Sequence, residues 1–183
     1  MAIRYDKINL SDLGVRAEVA RFDARGEVTE WHVMLHVEPR CDLFQKQMQR
    51  IYEAEDRLTG MPGFEGSRYV MKRYFLSDST NQQPLMRKQP DISISIIQQQ
   101  PLDGSKIAVW LYMQSHTQVA NENGMVVVSH NGYKHLWKMG MHQHKGDSAW
   151  QTESVLIEYE EALQNFGATL ADNCVRTWFF VRD

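Results

Sequence analysis

The sequence predicts an α/β protein of the α+β kind, built from two copies of one strand-strand-helix-strand unit, the second stopping before it is complete. Three observations predict it. Apolar residues alternate over Val15 to Phe22 and over Trp31 to Val37, the period of half-buried strands. They then recur at helical spacing through Phe44, Met48, Ile51, Tyr52 and Leu58, as on a helix that buries one face. The same order of patterns begins again after residue 124.

In the first strand Val15, Ala17 and Val19 oppose Arg16, Glu18 and Arg21, and Ala24-Arg25-Gly26 makes the turn. The second strand sets Trp31, Val33, Leu35 and Val37 against His32, Met34 and His36, and Pro39 ends it. Asp42 with Gln45 three residues on has the spacing of a capping box for a helix over 42–59, because each side chain can satisfy an orphan backbone group at the helix start. Gly60, Pro62 and Gly63 close that helix, and Val70 to Leu76 is a third strand. Residues 79–91, broken by Pro84 and Pro90, leave room only for a short helix. Two more strands, Ile92 to Gln99 and Lys106 to Met113, flank Asp103-Gly104, a hairpin dipeptide.

The polar stretch from Gln114 to Gly124 reads as a linker, giving units over 1–114 and 123–183 joined by 115–122. Met125 to Ser129 and Tyr133 to His142 are strands around an Asn131-Gly132 turn. Ser148 and Gln151 repeat the capping pair, Val155, Tyr159, Leu163 and Phe166 mark the helix stripe, and Gly167 suits the cap at its end. Cys174 to Val181 is expected as a strand.

Duplication accounts for the recurrence. Val70-Met71-Lys72-Arg73-Tyr74-Phe75-Leu76-Ser77-Asp78 aligns without gaps on Val175-Arg176-Thr177-Trp178-Phe179-Phe180-Val181-Arg182-Asp183. The offset there is 105, with 106 at the capping pairs and 107 between Gly60 and Gly167. In the first copy Asp78 is followed by two more strands, whereas the sequence stops at Asp183, so the second copy is expected to be only the amino-terminal part of a unit.

Composition excludes several classes of function. Hydrophobic residues make up 43% and charged residues 23%, enough apolar surface for a folded core. The net charge is −3 with neutral histidines, against the basic face that nucleic-acid binders need to neutralise phosphates. Cys41 and Cys174 are too few for a disulfide scaffold. Neither a signal peptide nor an apolar run of about 20 residues is present, so the expectation is a soluble cytoplasmic protein without membrane contact.

From Gly140 onward the second copy resembles the Rid (YjgF-type, endoribonuclease L-PSP-like) family, and beyond it the related amino-terminal half of chorismatases. The features that carry the resemblance, in order, are Gly140, Gln151, Gly167, Asp172, Val175, Phe179 and Asp183, with Asp172-Asn173-Cys174-Val175-Arg176-Thr177 the most specific piece. The resemblance implies a mixed, mostly antiparallel sheet with helices packed on one face, oligomeric assembly with ligand sites between subunits, and hydrolysis of imines by a bound water. It also implies an arginine on the fourth strand that grips the substrate carboxylate in a bidentate pair. Pro90-Asp91-Ile92-Ser93-Ile94 carries no such arginine, and Met139 stands where the family usually has a serine. The expectation is therefore a degenerate first unit, and a chain that is a non-catalytic, oligomerising portion of a larger metabolite-binding protein, with a small anionic metabolite as ligand and no cofactor. The alternative is an enzyme of the Rid deaminase or chorismatase-like hydrolase type.

Individual side chains are weighed on the same terms. Gly140 and Arg176 are the ligand-binding candidates, Arg176 because it is out of phase with Val175 and Thr177. His142 and His144 share a strand face but have no third ligand at recognised spacing, so no metal site is expected. His32 and His36 are expected to line an interface, Cys174 to be a buried, inert thiol, and Glu158, Glu160 and Glu161 to form a solvated helix face.

Overall fold

A computed structural model describes residues 3–24 and 28–181 of the chain. Nine strands and four α-helices follow in the order β1 (Ile3–Leu10), β2 (Val15–Asp23), β3 (Thr29–Val37), α1 (Phe44–Leu58), β4 (Arg68–Leu76), α2 (Ser79–Gln82), β5 (Ser93–Gln98), β6 (Ile107–Gln114), β7 (Gln118–Glu122), β8 (Met125–His130), β9 (Tyr133–Trp137), α3 (Ser148–Gln164) and α4 (Leu170–Asn173). Six strands make a sheet in the order β1-β2-β3-β6-β4-β5, antiparallel except for the β4–β5 pair. Strands β7, β8 and β9 form a separate antiparallel meander. The fold class read from the sequence, α+β with a mostly antiparallel sheet, is the one observed. Of the turn at Ala24-Arg25-Gly26, only Ala24 lies within the described residues.

Strand alternation decides which face of the large sheet meets α1. Trp31, Val33, Leu35 and Val37 of β3, with Ile107, Val109, Leu111 and Met113 of β6, pack against Phe44, Met48, Ile51 and Leu58 of α1. An irregularity between Tyr69 and Met71 shifts the register of β4 on β6. Val70 and Met71 consequently both leave that core and join Tyr112, Val126 and Val128 in a second one. This second core is where the small meander covers the other face of the large sheet, so the two sheets stack and do not merge into one.

Several local expectations are corrected. The strands on either side of Asp103-Gly104 do not form a hairpin: β5 pairs parallel with β4, and β4 intervenes between β5 and β6. A parallel partner needs a long crossover, which the α2 segment supplies. Gly104 still turns the chain at φ +81°, with Ser105 N–H donating to Asp103 Oδ1. Residues 118–122, read within the linker, are β7, because their backbone groups pair with β8. The strand expected over Tyr133 to His142 ends at Trp137. The Asn131-Gly132 turn is as expected, with φ of 48° and 78°, the left-handed pair of a type I′ turn.

The helix starts differ for identifiable reasons. Asp42 does not cap α1, whose first turn lacks a side-chain cap; its carboxylate instead pairs with the largely buried Arg50 at 3.0 Å. A buried guanidinium needs its counter-charge more than an exposed helix end needs a cap. In α3 the cap is Asp147, one residue before Ser148, accepting from Trp150 N–H at 2.9 Å. Gly167, at φ +65°, closes α3 with Gly167 N–H on Gln164 O and Ala168 N–H on Leu163 O, a Schellman motif.

The strand expected at Cys174 to Val181 is absent. The segment runs outside both sheets; of its apolar side chains, Trp178 and Phe180 meet Arg73 of the large sheet, and Val175 and Val181 are largely exposed. No described helix is long and apolar enough to cross a membrane.

Candidate functional site

The face of the large sheet opposite α1 is only partly covered by the meander. Beyond its edge lies an open groove of about 1590 Å³. Its floor is His32 of β3, Arg73 of β4 and Trp110 and Tyr112 of β6; its walls are β9, the Val155–Tyr159–Leu163 stripe of α3 with Phe166 just after it, and residues 173–181. The stripe foreseen from helical spacing thus faces the groove, and only Leu163 of it is fully buried.

A run of ring contacts, one stacked and two tilted, crosses the floor. Trp137 and Tyr112 lie 5.1 Å apart, Tyr112 and His32 4.7 Å, and His32 and Trp110 5.7 Å. Polar ends fix these rings. Tyr112 donates to Glu30 at 2.9 Å and accepts from Gln114 at 2.7 Å, while Trp110 Nε1–H donates to His32 Nδ1 at 3.2 Å. The ring run reflects ordinary strand alternation: the residues out of phase with the core are aromatic here.

At the end of the run sits Arg73, only 3% exposed. Its guanidinium lies over Trp110 at 5.1 Å, Trp178 at 5.1 Å and Phe180 at 4.8 Å. Among the described residues it has neither a carboxylate nor a hydrogen-bond acceptor, and its Nε is buried without a partner. Burial alone pulls it below the usual guanidinium range. The cover is one side chain deep, since Trp178 and Phe180 are themselves 39% and 49% exposed. An unpaired buried cation costs several kcal/mol, about as much as any single feature of a fold. Cation–π contact offsets part of that cost.

The two residues singled out from sequence both line this groove. Arg176 lies over Trp178 at 5.5 Å, so that indole contacts two guanidinium groups, neither with a carboxylate among the described residues. Gly140 lies at the rim with φ +71°, and a Cβ there would come within 2.8 Å of Ile94 O. Its small size lets the loop after β9 close against β5.

The other candidates part company with it. His142 and His144 are exposed, 4.7 Å apart, and no described cluster of three His, Cys, Asp or Glu is placed to hold a metal. His36 approaches Glu18 at 3.9 Å, away from His32's ring partners. Cys174 is half-buried and not fully enclosed, because the segment it begins is not a strand. Glu160, on the helix face read as solvated, accepts the Leu170 N–H at 2.7 Å.

A second polar cluster lies on the other side of the sheet. Glu55 of α1 and Lys72 of β4 meet at 2.7 Å with side chains 0% and 1% exposed. Burial pushes the Glu55 carboxyl up and the Lys72 ammonium down, each against the pull of its partner. Tyr74 donates to Glu55 at 3.2 Å, and Lys72 donates to Gln89 at 2.7 Å. The pair is sealed from solvent and holds α1 to the sheet.

His32 gives a direct test of the groove's electrostatics. The surrounding walls desolvate the ring and lower its pKa from 6.5, Glu30 opposes the shift, and Arg176 adds to it. With Nδ1 accepting from Trp110, the neutral ring carries its proton on Nε2. Because the folded value is the lower one, the stability contributed by the neutral ring is complete above pH 6.5 and is lost as pH falls through that folded value. Imidazole NMR should show His32 titrating below 6.5, and higher in Arg176→Gln than in the parent. A parent midpoint at or above 6.5 would contradict this placement.

Sequence reasoning passed over Arg73. The available signal was a charged residue inside an otherwise apolar strand, Val70 to Leu76, where an arginine needs a partner or a purpose. No protein-family model, curated protein or solved structure matched the chain.

Proposed function

We propose that this chain is a Rid-like module that binds a small carboxylated metabolite and does not turn it over. The observation that carries the reading is Arg73, a buried guanidinium at the floor of an open groove that has no counter-ion among the described residues. A guanidinium fork matches a carboxylate, and a ligand that brings one removes the cost of the unpaired charge. Arg176 at the groove's mouth adds a second positive charge. Support for the non-catalytic part comes from residues 90–94, which start β5 with no arginine where the family resemblance implies the substrate-holding one.

Calorimetry with a panel of small carboxylates and their uncharged amides tests the reading. At least one carboxylate is expected to bind, to weaken tenfold or more in Arg73→Gln, and to outbind its amide. Equal binding of acid and amide would rule out an anion site. A coupled assay generating 2-aminoacrylate should show no loss of imine above the protein-free control, and acceleration would restore the enzyme reading.

We infer, too, that the module self-associates. The edge strand β1 presents Ile3 and Tyr5 at 54% and 76% exposure, and unpaired edges with apolar side chains invite pairing. Sedimentation at micromolar concentration should show a species larger than one chain; a clean monomer would remove this part.

A further inference from the structure

The cover over Arg73 is an unusual piece of chain. After Cys174 N–H bonds to Leu170 O, residues 175–181 make no backbone hydrogen bond among the described residues and belong to neither sheet. Trp178 and Phe180 sit on Arg73 and still stay 39% and 49% exposed, while Val175, Phe179 and Val181 are 98%, 48% and 64% exposed. A segment that leaves both its backbone and its outer side chains to water is held chiefly by what its inner rings touch. Those rings touch a cation that has no anion among the described residues.

We propose that Trp178 and Phe180 stand in for the ligand, and that the ligand is an aromatic carboxylate that displaces them. This deepens the reading of the chain as a carboxylate binder and rests on it. The ring preference follows from the floor. With the segment lifted away, Trp110 remains against Arg73 at 5.1 Å and continues the stack through His32 and Tyr112. A flat ring entering there regains the contacts that Trp178 and Phe180 give up, and its carboxylate supplies the charge they do not carry. An aliphatic acid supplies the charge alone. Arg176 moves with the segment, so ligand entry also separates the two guanidinium groups that flank Trp178.

The test uses the full chain with phenylacetate and cyclohexylacetate, acids of one carbon skeleton with and without a π face. Phenylacetate is expected to bind at least about fivefold more tightly. Trp178→Ala/Phe180→Ala should tighten phenylacetate about tenfold, because apparent affinity scales with the fraction of molecules whose site is uncovered. In the parent chain, amide hydrogen exchange over 175–181 should quicken when phenylacetate is added. This readout does not depend on the double variant folding. Equal binding of the two acids, unchanged or weaker binding in the double variant, or exchange that stays the same or slows would each overturn displacement by an aromatic ligand. Equal binding that still depends on Arg73 would leave the carboxylate-binding function standing. Absence of any Arg73-dependent binding would remove both.

Discussion

Glu55→Ala is expected to destabilise the fold by about 3–5 kcal/mol, the cost of stranding one member of a buried ion pair. The partner left behind is Lys72, whose side chain is 1% exposed and would keep, among the described residues, Gln89 Oε1 and the Tyr69 ring, at 2.7 Å and 4.2 Å. It must then lose its proton or draw in water, and either disrupts the contact between α1 and β4. Tyr74 loses its carboxylate acceptor, and Arg87, which reaches Glu55 at 3.5 Å, loses part of its hold on the helix. Lys72→Met should cost somewhat less, because Glu55 would retain Tyr74 and Arg87. Glu55→Leu/Lys72→Met should recover most of the loss and come within about 2 kcal/mol of the parent, since a desolvated pair gives little net stability over an apolar replacement. Urea unfolding with an unchanged slope reads each value. A double variant as unstable as the worse single one would mean that the network holds the fold through Tyr74 and Gln89, and not through the charge pair.

Much of this architecture was legible because strand and helix periods are properties of a few consecutive residues. The Trp31–Val37 alternation and the Phe44–Leu58 stripe each declare a buried face, and those faces meet in the principal core. What was not legible depends on residues distant in sequence. Nothing near Asp103-Gly104 reveals that β5 takes β4 as a parallel partner, because that choice is made by the crossover and the room beside β4. The polar composition of residues 118–122 reads as linker, yet a strand at the edge of a three-stranded meander has one solvated face and is expected to be polar. The apolar run from Cys174 to Val181 misleads in the opposite direction: apolar alternation promises a strand only if a neighbour offers free backbone groups. The described structure gives this segment rings and a guanidinium to pack on.

The site was half legible. Arg176 and Gly140 come from motif order, and both fall on the groove. The groove itself arises where two sheets stack, which no local pattern encodes. Arg73 gains its character only from neighbours on β6 and in the last residues of the chain.

Arg73→Met is expected to stabilise the protein by about 1–3 kcal/mol while removing carboxylate binding. The gain follows from the balance at this side chain. Taking a guanidinium out of water without a counter-charge carries a penalty of several kcal/mol, and replacing even paired buried charges with apolar groups of similar volume is often neutral or gains about 1–4 kcal/mol. Against that stand three ring contacts, each worth about 0.5–2 kcal/mol, which methionine replaces only in part through sulfur–aromatic contact. The desolvation term is the larger because, among the described residues, Nε has no acceptor and the charge has no partner. Arg73→Lys separates charge from shape: it keeps the cation but not the fork, so it should not stabilise and should bind carboxylates more weakly than the parent. Thermal and urea unfolding of the three proteins, beside calorimetry with phenylacetate, give both halves of the result. A stabilised, non-binding Arg73→Met is the signature of a residue kept for its ligand at the expense of the fold. If Arg73→Met instead loses more than about 1 kcal/mol, the ring contacts outweigh the desolvation cost. Arg73 would then be an anchor for Trp178 and Phe180, and not an anion site.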